Sequence, residues 1–191
     1  MNTGVVSGVV CYTITNNAGF VEAYQNYDGN DYVDMTYQPF HGTNLTIGMW
    51  VMDVASVGNA FPIYLSADGY SDRVNLNYPV SGAFALQTYD VGYAQVSALT
   101  NCYTGNWYHV VGTMGPDTRQ LRIYVNGIYQ AVATANTEML GLDRSTLGCR
   151  NQNSGTYKDY YLVGKMYRTF GANYAFSSNA IYDLSVNTRP K

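Results

Sequence analysis

Charged side chains are scarce in this 191-residue chain, and their scarcity excludes one class of partner. Only 12% of the residues are Asp, Glu, Lys or Arg, and lysine occurs only at Lys158, Lys165 and Lys191. Binding to nucleic acid depends on clustered basic side chains that neutralise phosphates. The chain has no basic cluster and a formal net charge of −3. We therefore expect no nucleic-acid partner.

Long apolar runs are also missing from the sequence. No segment approaches the ~20 consecutive apolar residues that a membrane-spanning helix requires, so no membrane span is predicted. The N-terminal region has no basic residue, and Ser7 and Gly8 interrupt the apolar stretch Gly4–Ile14. That pattern is typical of a strand and differs from the cationic, apolar start of a secretory signal.

Cysteines are few, and their spacing argues against a metal or redox centre. Cys11, Cys102 and Cys149 are far apart, and no C-x-x-C motif or Cys/His cluster is present. Their number is odd, so at least one must be free or paired between chains, and the sequence leaves open which cysteines, if any, are paired. We expect buried thiols that pack as small apolar side chains.

The rarity of glutamate argues against glycoside hydrolysis. The two glutamates, Glu22 and Glu138, lie far apart in the chain, whereas a retaining hydrolase needs two carboxyl groups about 5 Å apart. His41 and His109 have no G-x-S-x-G nucleophile motif beside them. We therefore assign no catalytic residue and predict a non-enzymatic protein. His109 is expected to be a hydrogen-bonded structural histidine.

Tight turns and alternating strands are what the sequence does contain. Trp107–Met114 and Leu121–Val125 flank a turn-forming Gly-Pro-Asp-Thr cluster, and Asn126-Gly127 is the best dipeptide for a type I′ hairpin turn into Ile128–Ala133. A three-stranded antiparallel meander follows. Pairing Val125 with Ile128 puts Gln130 on the apolar face, so either its side chain reaches solvent or the register differs.

Further short strands are predicted along the rest of the chain. They are Gly4–Ile14, Phe20–Tyr27, Leu45–Met52, Phe61–Ser66, Val74–Tyr78 and Phe84–Tyr89. Leu45–Met52 is apolar on both alternations, which indicates a central strand covered on both sides. Thr137–Leu142 makes at most one helical turn, and no sustained helical period is present. The pattern predicts a single all-β domain, residues 1–191, built as a two-sheet antiparallel jelly-roll sandwich. Trp50 and Trp107 sit inside apolar strands, so we expect each to be a core or near-core residue rather than a sugar platform.

A family resemblance rests on four segments in order. W-Y-H-V, Trp107–Val110, and L-x-I-Y-V-N-G, Leu121–Gly127, resemble the central signature of laminin-G-like, concanavalin A-like jelly-roll domains. Tyr27–Met35 with Leu45–Asp53 resembles the opening pair of strands, and Thr146–Arg150 with Tyr161–Phe176 the closing pair, so the likeness spans about Phe20–Ser177. The hydrolases of this fold carry Glu-x-Asp-x-Glu or a close variant on one strand, and that motif is absent here.

Calcium is the one cofactor that the resemblance suggests, because many lectin-like jelly rolls bind it. Asp28, Asn30 and Asp31 offer hard oxygen ligands in a loop. The alternative is an Asx-turn that links two strands.

Tyrosine is abundant near the C-terminal end, where it is expected to form an interface or a glycan site. The residues concerned are Tyr157, Tyr160, Tyr161, Tyr167 and Tyr174. With 15% aromatic and 12% charged residues, the composition favours a repeated structural subunit on a virion surface, such as a capsid decoration or tail appendage, whose partners are other subunits of that capsid or tail. The alternative is an extracellular lectin-like adhesion module, with or without calcium, that binds a cell-surface glycan.

Overall fold

The computed structural model describes residues 4–7, 10–15, 21–35, 44–53, 59–67, 73–78, 82–89, 92–115, 119–135, 142, 144–152 and 157–190. Several sequence-based expectations fall outside these ranges. They concern the turn at 16–19, His41, the hairpin turn at 116–118, Glu138 and the single helical turn proposed at 137–142, of which only Leu142 is described. The side chains of Cys11 and Glu22 are likewise outside the description.

Sixteen strands and one helix make up the described fold. In chain order they are β1 Gly4–Ser7, β2 Val10–Thr15, β3 Val21–Asp28, β4 Tyr32–Met35, β5 Leu45–Asp53, β6 Ala60–Ser66, β7 Arg73–Tyr78, β8 Ala85–Tyr89, β9 Tyr93–Ser97, β10 Tyr108–Met114, β11 Gln120–Val125, β12 Ile128–Thr134, β13 Arg144–Leu147, β14 Arg150–Gln152, β15 Tyr157–Asp159, β16 Val163–Ala172 and α1 Ser178–Asn187.

Two seven-stranded antiparallel sheets pack face to face. The first sheet has the order β1-β4-β13-β6-β7-β8-β9, and the second has the order β12-β11-β10-β5-β16-β3-β2. Strands β14 and β15 form a separate hairpin. The predicted all-β jelly-roll sandwich is therefore confirmed.

The core lies between the two sheets, because each strand turns one alternation of apolar side chains inward. Val74 and Leu76 of the first sheet, and Leu121 and Ile123 of the second, are completely buried members of one apolar cluster. Burial of such side chains contributes roughly 1.5–3 kcal/mol each to folding. The alternate positions face outward, and these outer faces distinguish the two sheets.

The predicted meander is confirmed, and a bulge resolves its irregular third strand. Asn126 and Gly127 have φ of +51° and +79°, as the two central residues of a type I′ turn require. After the pair Tyr124 and Tyr129, the register shifts so that Ile123 pairs with Ala131. Gln130 is thus the extra residue of a β-bulge, so the second alternative, a register that differs from simple pairing at this point, is confirmed. The small Ala131 takes the apolar position.

The first predicted strand is also wrong, because Gly4–Ile14 contains two strands in different sheets. β1 pairs with β4 in the first sheet, and β2 pairs with β3 in the second. The chain passes between the sheets after Ser7, where the apolar pattern is interrupted. A polar interruption in an apolar run is therefore a crossing point here and not an irregularity within one strand.

Helix α1 is a second departure from the prediction of no sustained helix. Ser177 caps its N-terminus by accepting a hydrogen bond from Ala180 N at 3.3 Å. Its buried residues are Ile181 and Ser185. One of these two is a serine, so apolar residues recur only weakly at helical spacing in this segment. Among the described residues no helix is long and apolar enough to cross a membrane.

The helix covers the outer face of the second sheet. Ile181 packs on Val111 and Tyr124, and Phe170 and Phe176 border this small second core. Strand β5 lies fourth of seven in its sheet, with α1 on one side and the main core on the other. The prediction that this strand is central and covered on both sides is therefore confirmed.

Candidate functional site

The outer face of the first sheet carries a row of polar side chains in register. Across adjacent strands, from β4 to β9, the paired residues are Asp34, Thr146, Tyr64, Asn75, Gln87 and Gln95. They point away from the core, because their chain neighbours, such as Leu76 and Leu86, belong to the core cluster. We call the four outward amides Asn75, Asn77, Gln87 and Gln95 the amide face.

Hydrogen bonds hold the solvent-facing end of the amide face in one arrangement. Gln87 Nε2 donates to Gln95 Oε1 at 2.8 Å, and Gln95 Nε2 donates to Ser97 Oγ at 2.7 Å. The hydroxyl of Tyr93, whose side chain is 52% exposed, also donates to Gln95 Oε1. An amide side chain that is held by neighbours loses little further freedom when it binds a ligand.

The amide face also contains two buried side chains on strand β7 whose oxygens have no hydrogen-bond partner among the described residues. Asn75 and Asn77 are only 1% and 2% exposed. The Oδ1 atom of each accepts no hydrogen bond from the described residues. A buried polar atom without a partner destabilises the folded state by roughly 1–3 kcal/mol, so such atoms call for an explanation.

A hairpin formed by β14 and β15 stands beside the amide face. Arg150 Nε and Nη2 donate to the two carboxylate oxygens of Asp159 at 2.7 and 2.5 Å. The same guanidinium lies 4.2 Å from the centroid of the Tyr160 ring, and Phe61 N donates to Tyr160 O at 3.2 Å. The exposed ring of Tyr160 is therefore held between a cation and the first sheet.

A second ion pair attaches this hairpin to the first sheet. Lys158 Nζ lies 3.3 Å from Asp34 Oδ2 and 4.5 Å from the centroid of the Tyr32 ring. Asn151 Nδ2 donates to Thr146 Oγ1 at 3.0 Å. Each cation of the hairpin thus has a carboxylate partner.

The five predicted tyrosines do not form one surface. Tyr157 and Tyr160 are exposed on the hairpin, and Tyr161 is partly buried nearby. Tyr167 is buried on the outer side of the second sheet, where it pairs with Trp50 in the neighbouring strand. Tyr174 is exposed beside Phe176, with ring centroids 5.0 Å apart. The structure thus brings together only the first three.

The candidate calcium ligands form a turn that is closed by its own carboxylates. Asp28 N donates to Asp31 Oδ2 at 3.1 Å, and Asn30 N donates to Asp28 Oδ1 at 3.3 Å. Burial raises the pKa of the Asp31 carboxyl. The described residues contain no group of three or more His, Cys, Asp or Glu side chains that could hold a metal ion. These contacts fit the Asx-turn better than a metal site.

His109 is structural, but its ring lacks the expected hydrogen bond. Its backbone N donates to Asn126 Oδ1 at 3.0 Å, whereas ring Nδ1 has no hydrogen-bond partner among the described residues. The ring lies between Trp50 and Phe170, with centroid distances of 5.2 and 6.2 Å. Burial lowers the pKa of His109 to about 4, so the imidazole is neutral at physiological pH.

The two tryptophans lie under or beside α1 and not between the sheets. Trp50 Nε1 donates to Thr188 Oγ1 at 2.9 Å, which fixes the indole against the end of the helix. Trp107 is only partly buried. Trp50 is 3% exposed, as expected of a residue in or near the core, and it belongs to the apolar layer on the outer face of the second sheet.

Comparison with known proteins assigns the family. The model of the concanavalin A-like lectin/glucanases superfamily matches residues 27–181. The chain belongs to this superfamily. A comparison with curated protein sequences finds no match.

Three solved structures share the superfamily fold with this chain. Domain 4 of a GH43 extracellular arabinanase from Geobacillus stearothermophilus, in complex with arabinotriose, has a TM-score of 0.75 and 14% identity, covering 95% of this chain and 87% of that chain. A CBM40 domain of a Ruminococcus gnavus sialidase, bound to α2,3 sialyllactose, has a TM-score of 0.71 and 10% identity, covering 85% and 97%. A heptameric SAP-like pentraxin from Limulus polyphemus has a TM-score of 0.71 and 11% identity, covering 86% and 82%. At these identities the likeness establishes the fold alone.

Proposed function

We propose that this superfamily member is a non-catalytic carbohydrate-binding protein whose glycan lies on the amide face. The observation that carries the proposal is the row of outward amides across three strands, in which Asn75 pairs with Gln87 and Gln87 with Gln95, and in which Gln87 and Gln95 are only partly buried. Sugar hydroxyls donate hydrogen bonds, and a small number of fixed polar groups is what orients a ligand in a protein site.

Aromatic side chains at both ends of the amide face support the same proposal. Tyr157 and Tyr160 are exposed at the hairpin end, and Tyr93 is exposed at the β9 end. A tyrosine ring offers an apolar surface with a polar tip and loses little side-chain entropy on binding, which suits contact with the C–H face of a pyranose or furanose. The paired cations favour a neutral glycan.

The carboxylates near the amide face support binding without catalysis. Asp159 accepts two hydrogen bonds from Arg150, and Asp34 forms an ion pair with Lys158. A retaining hydrolase needs two carboxyl groups that act together on one sugar, one as acid and one as nucleophile, whereas these two carboxylates belong to separate ion pairs. The carbohydrate complexes of two similar structures agree with a binding role, and an extracellular location is part of the proposal.

Binding to a glycan array, followed by calorimetry with the glycan that binds best, tests this function. We expect Gln95→Ala and Tyr160→Ala each to weaken binding several-fold, since each removes one hydrogen-bonding or stacking group. Gln120→Ala is the matched control, because Gln120 is also half-buried but lies on the second sheet. If no glycan binds, or if the control weakens binding equally, the amide face is not a carbohydrate site.

The assembly role that the composition favours, as a repeated subunit of a virion, stays a prediction. Its structural basis was one tyrosine surface, and Tyr157 and Tyr174 lie on different sides of the sandwich. Light scattering on the purified chain would test it: a stable oligomer would support the assembly role, and a monomer at high concentration would contradict it.

A further inference from the structure

A pocket of about 280 Å³ lies where α1 meets the outer face of the second sheet, across the sandwich from the amide face. Its lining residues are Trp50, Trp107, Asn126, Tyr182, Ser185, Val186 and Arg189. We call it the indole pocket. We propose that the indole pocket is a second binding site, which takes one acidic sugar: a pyranose ring that carries a carboxylate.

The walls of the indole pocket are held in place by contacts with the fold. Trp50 Nε1 donates to Thr188 Oγ1 at 2.9 Å, and Asn126 Oδ1 accepts a hydrogen bond from His109 N at 3.0 Å. Ser185 Oγ donates to the carbonyl of Tyr182 at 2.7 Å. The Trp50, Asn126 and Ser185 walls are therefore in place before any ligand arrives, and binding does not have to order them.

Size and ring chemistry point to a single sugar ring. A volume of about 280 Å³ is just below the usual range for drug-sized ligands and suits one ring. Trp107 and Tyr182 are the incompletely buried aromatic residues of the lining. An aromatic ring stacks on the apolar face of a pyranose, while the Asn126 amide can reach a hydroxyl.

The positive charge of Arg189 favours a sugar that carries a carboxylate. Among the described residues, Arg189 is the only charged one in the lining, and it has no ion-pair partner there. A guanidinium binds a carboxylate with two parallel hydrogen bonds. The carbonyl of Leu184 at the adjacent helix end already accepts from Thr188 N and Thr188 Oγ1, at 3.0 and 2.6 Å, which lessens its repulsion of an anion.

Tryptophan fluorescence reports on this pocket alone, because the chain has only two tryptophans and both line it. The probe is sodium glucuronate, with glucose as the neutral sugar and benzoate as the carboxylate without a sugar ring. We expect a saturable fluorescence change with glucuronate, at a roughly millimolar dissociation constant for so small a ligand, and no comparable change with glucose or benzoate. Calorimetry on the same samples measures binding independently.

Arg189→Gln should weaken glucuronate binding about tenfold or more, the usual effect of losing a hydrogen bond to a charged group. Arg122→Gln is the control, since Arg122 is exposed on β11 and does not line the pocket. Melting curves must show both variants folded. The proposal is overturned if neither fluorescence nor calorimetry detects glucuronate, if Arg189→Gln binds it unchanged, if glucose binds equally well, or if benzoate does.

Discussion

A Cβ atom built on Gly127 would lie 2.4 Å from Ser185 Oγ and 3.0 Å from Tyr182 Cα. The turn between β11 and β12 and helix α1 therefore meet at a point where only glycine fits. Gly127 thus serves two requirements, since its φ of +79° already favours glycine for the turn itself.

Gly127→Ala should separate the turn from the helix and lower the free energy of unfolding by about 2–4 kcal/mol. Left-handed backbone contributes roughly 1–2 kcal/mol of that loss, and the contact with α1 the rest. Gly105→Ala is the control, because Gly105 has φ of +80° but no atom within 4 Å of the added Cβ. Urea unfolding measures both variants. Equal losses would show that the helix contact is unimportant.

The hydrogen bond from Trp50 Nε1 to Thr188 Oγ1 should help to hold the end of α1 on the second sheet. Trp50→Phe and Thr188→Val, made singly and together, form a double-mutant cycle. We expect a coupling energy of about 1 kcal/mol, since the two atoms bond each other. The cycle is needed because Thr188 Oγ1 also donates to Leu184 O. Additive losses would exclude a direct coupling.

His109 should make the folded state sensitive to acid. Burial lowers its pKa from 6.5 to about 4, so below pH 6.5 the unfolded chain gains a proton that the folded chain does not accept until the pH nears 4. Stability is therefore lost as pH falls through this window, by up to about 3 kcal/mol. Denaturant unfolding at several pH values should show a shallower dependence for His109→Phe than for the parent chain, and an equal dependence would contradict the role of His109.

Cys102 and Cys149 should be inert in the folded protein. Both are free and buried, and burial raises the pKa of each thiol to about 12. The thiolate is the reactive form, so little of it exists at neutral pH. In a Cys11→Ser background, a thiol-specific disulfide reagent should label neither cysteine in native buffer and both in guanidinium. Rapid native labelling would contradict their burial.

Calcium should leave the melting temperature unchanged, because the carboxylates of Asp28 and Asp31 already accept the backbone N–H groups of their own turn. Thermal melts in EDTA and in millimolar calcium measure this. A cation that binds only the folded state raises the melting temperature with its concentration. A rise in melting temperature that Asp31→Asn abolishes would show that this turn binds calcium.

Features set by adjacent residues were predictable, and features set by strand register were not. Asn126-Gly127 predicts its turn because both residues readily adopt positive φ. The apolar residues on both alternations of β5 predict a central strand. The amide face depends on Asn75, Gln87 and Gln95 meeting across three strands. Each of these residues alternates with apolar neighbours, which shows that it faces outward but not which residues lie beside it.

Helix α1 shows a different limit of sequence reasoning. Its signal consists of a capping Ser177 and the pair Ile181 and Ser185, one turn apart. A buried serine weakens the apolar period on which helix prediction depends. Ser185 faces Gly127, and a Cβ atom on Gly127 would lie 2.4 Å from its Oγ. The helix is thus specified by tertiary packing.

The bulge at Gln130 has a mechanical consequence for the sandwich. Gln130 Oε1 accepts hydrogen bonds from Thr100 N and Thr100 Oγ1, at 3.1 and 2.8 Å, and so fastens edge strand β12 to the segment that follows β9, the edge strand of the opposite sheet. These two hydrogen bonds must break before one sheet can slide over the other at this edge. We therefore expect Gln130→Ala, which removes both hydrogen bonds, to make this edge of the sandwich easier to open under load.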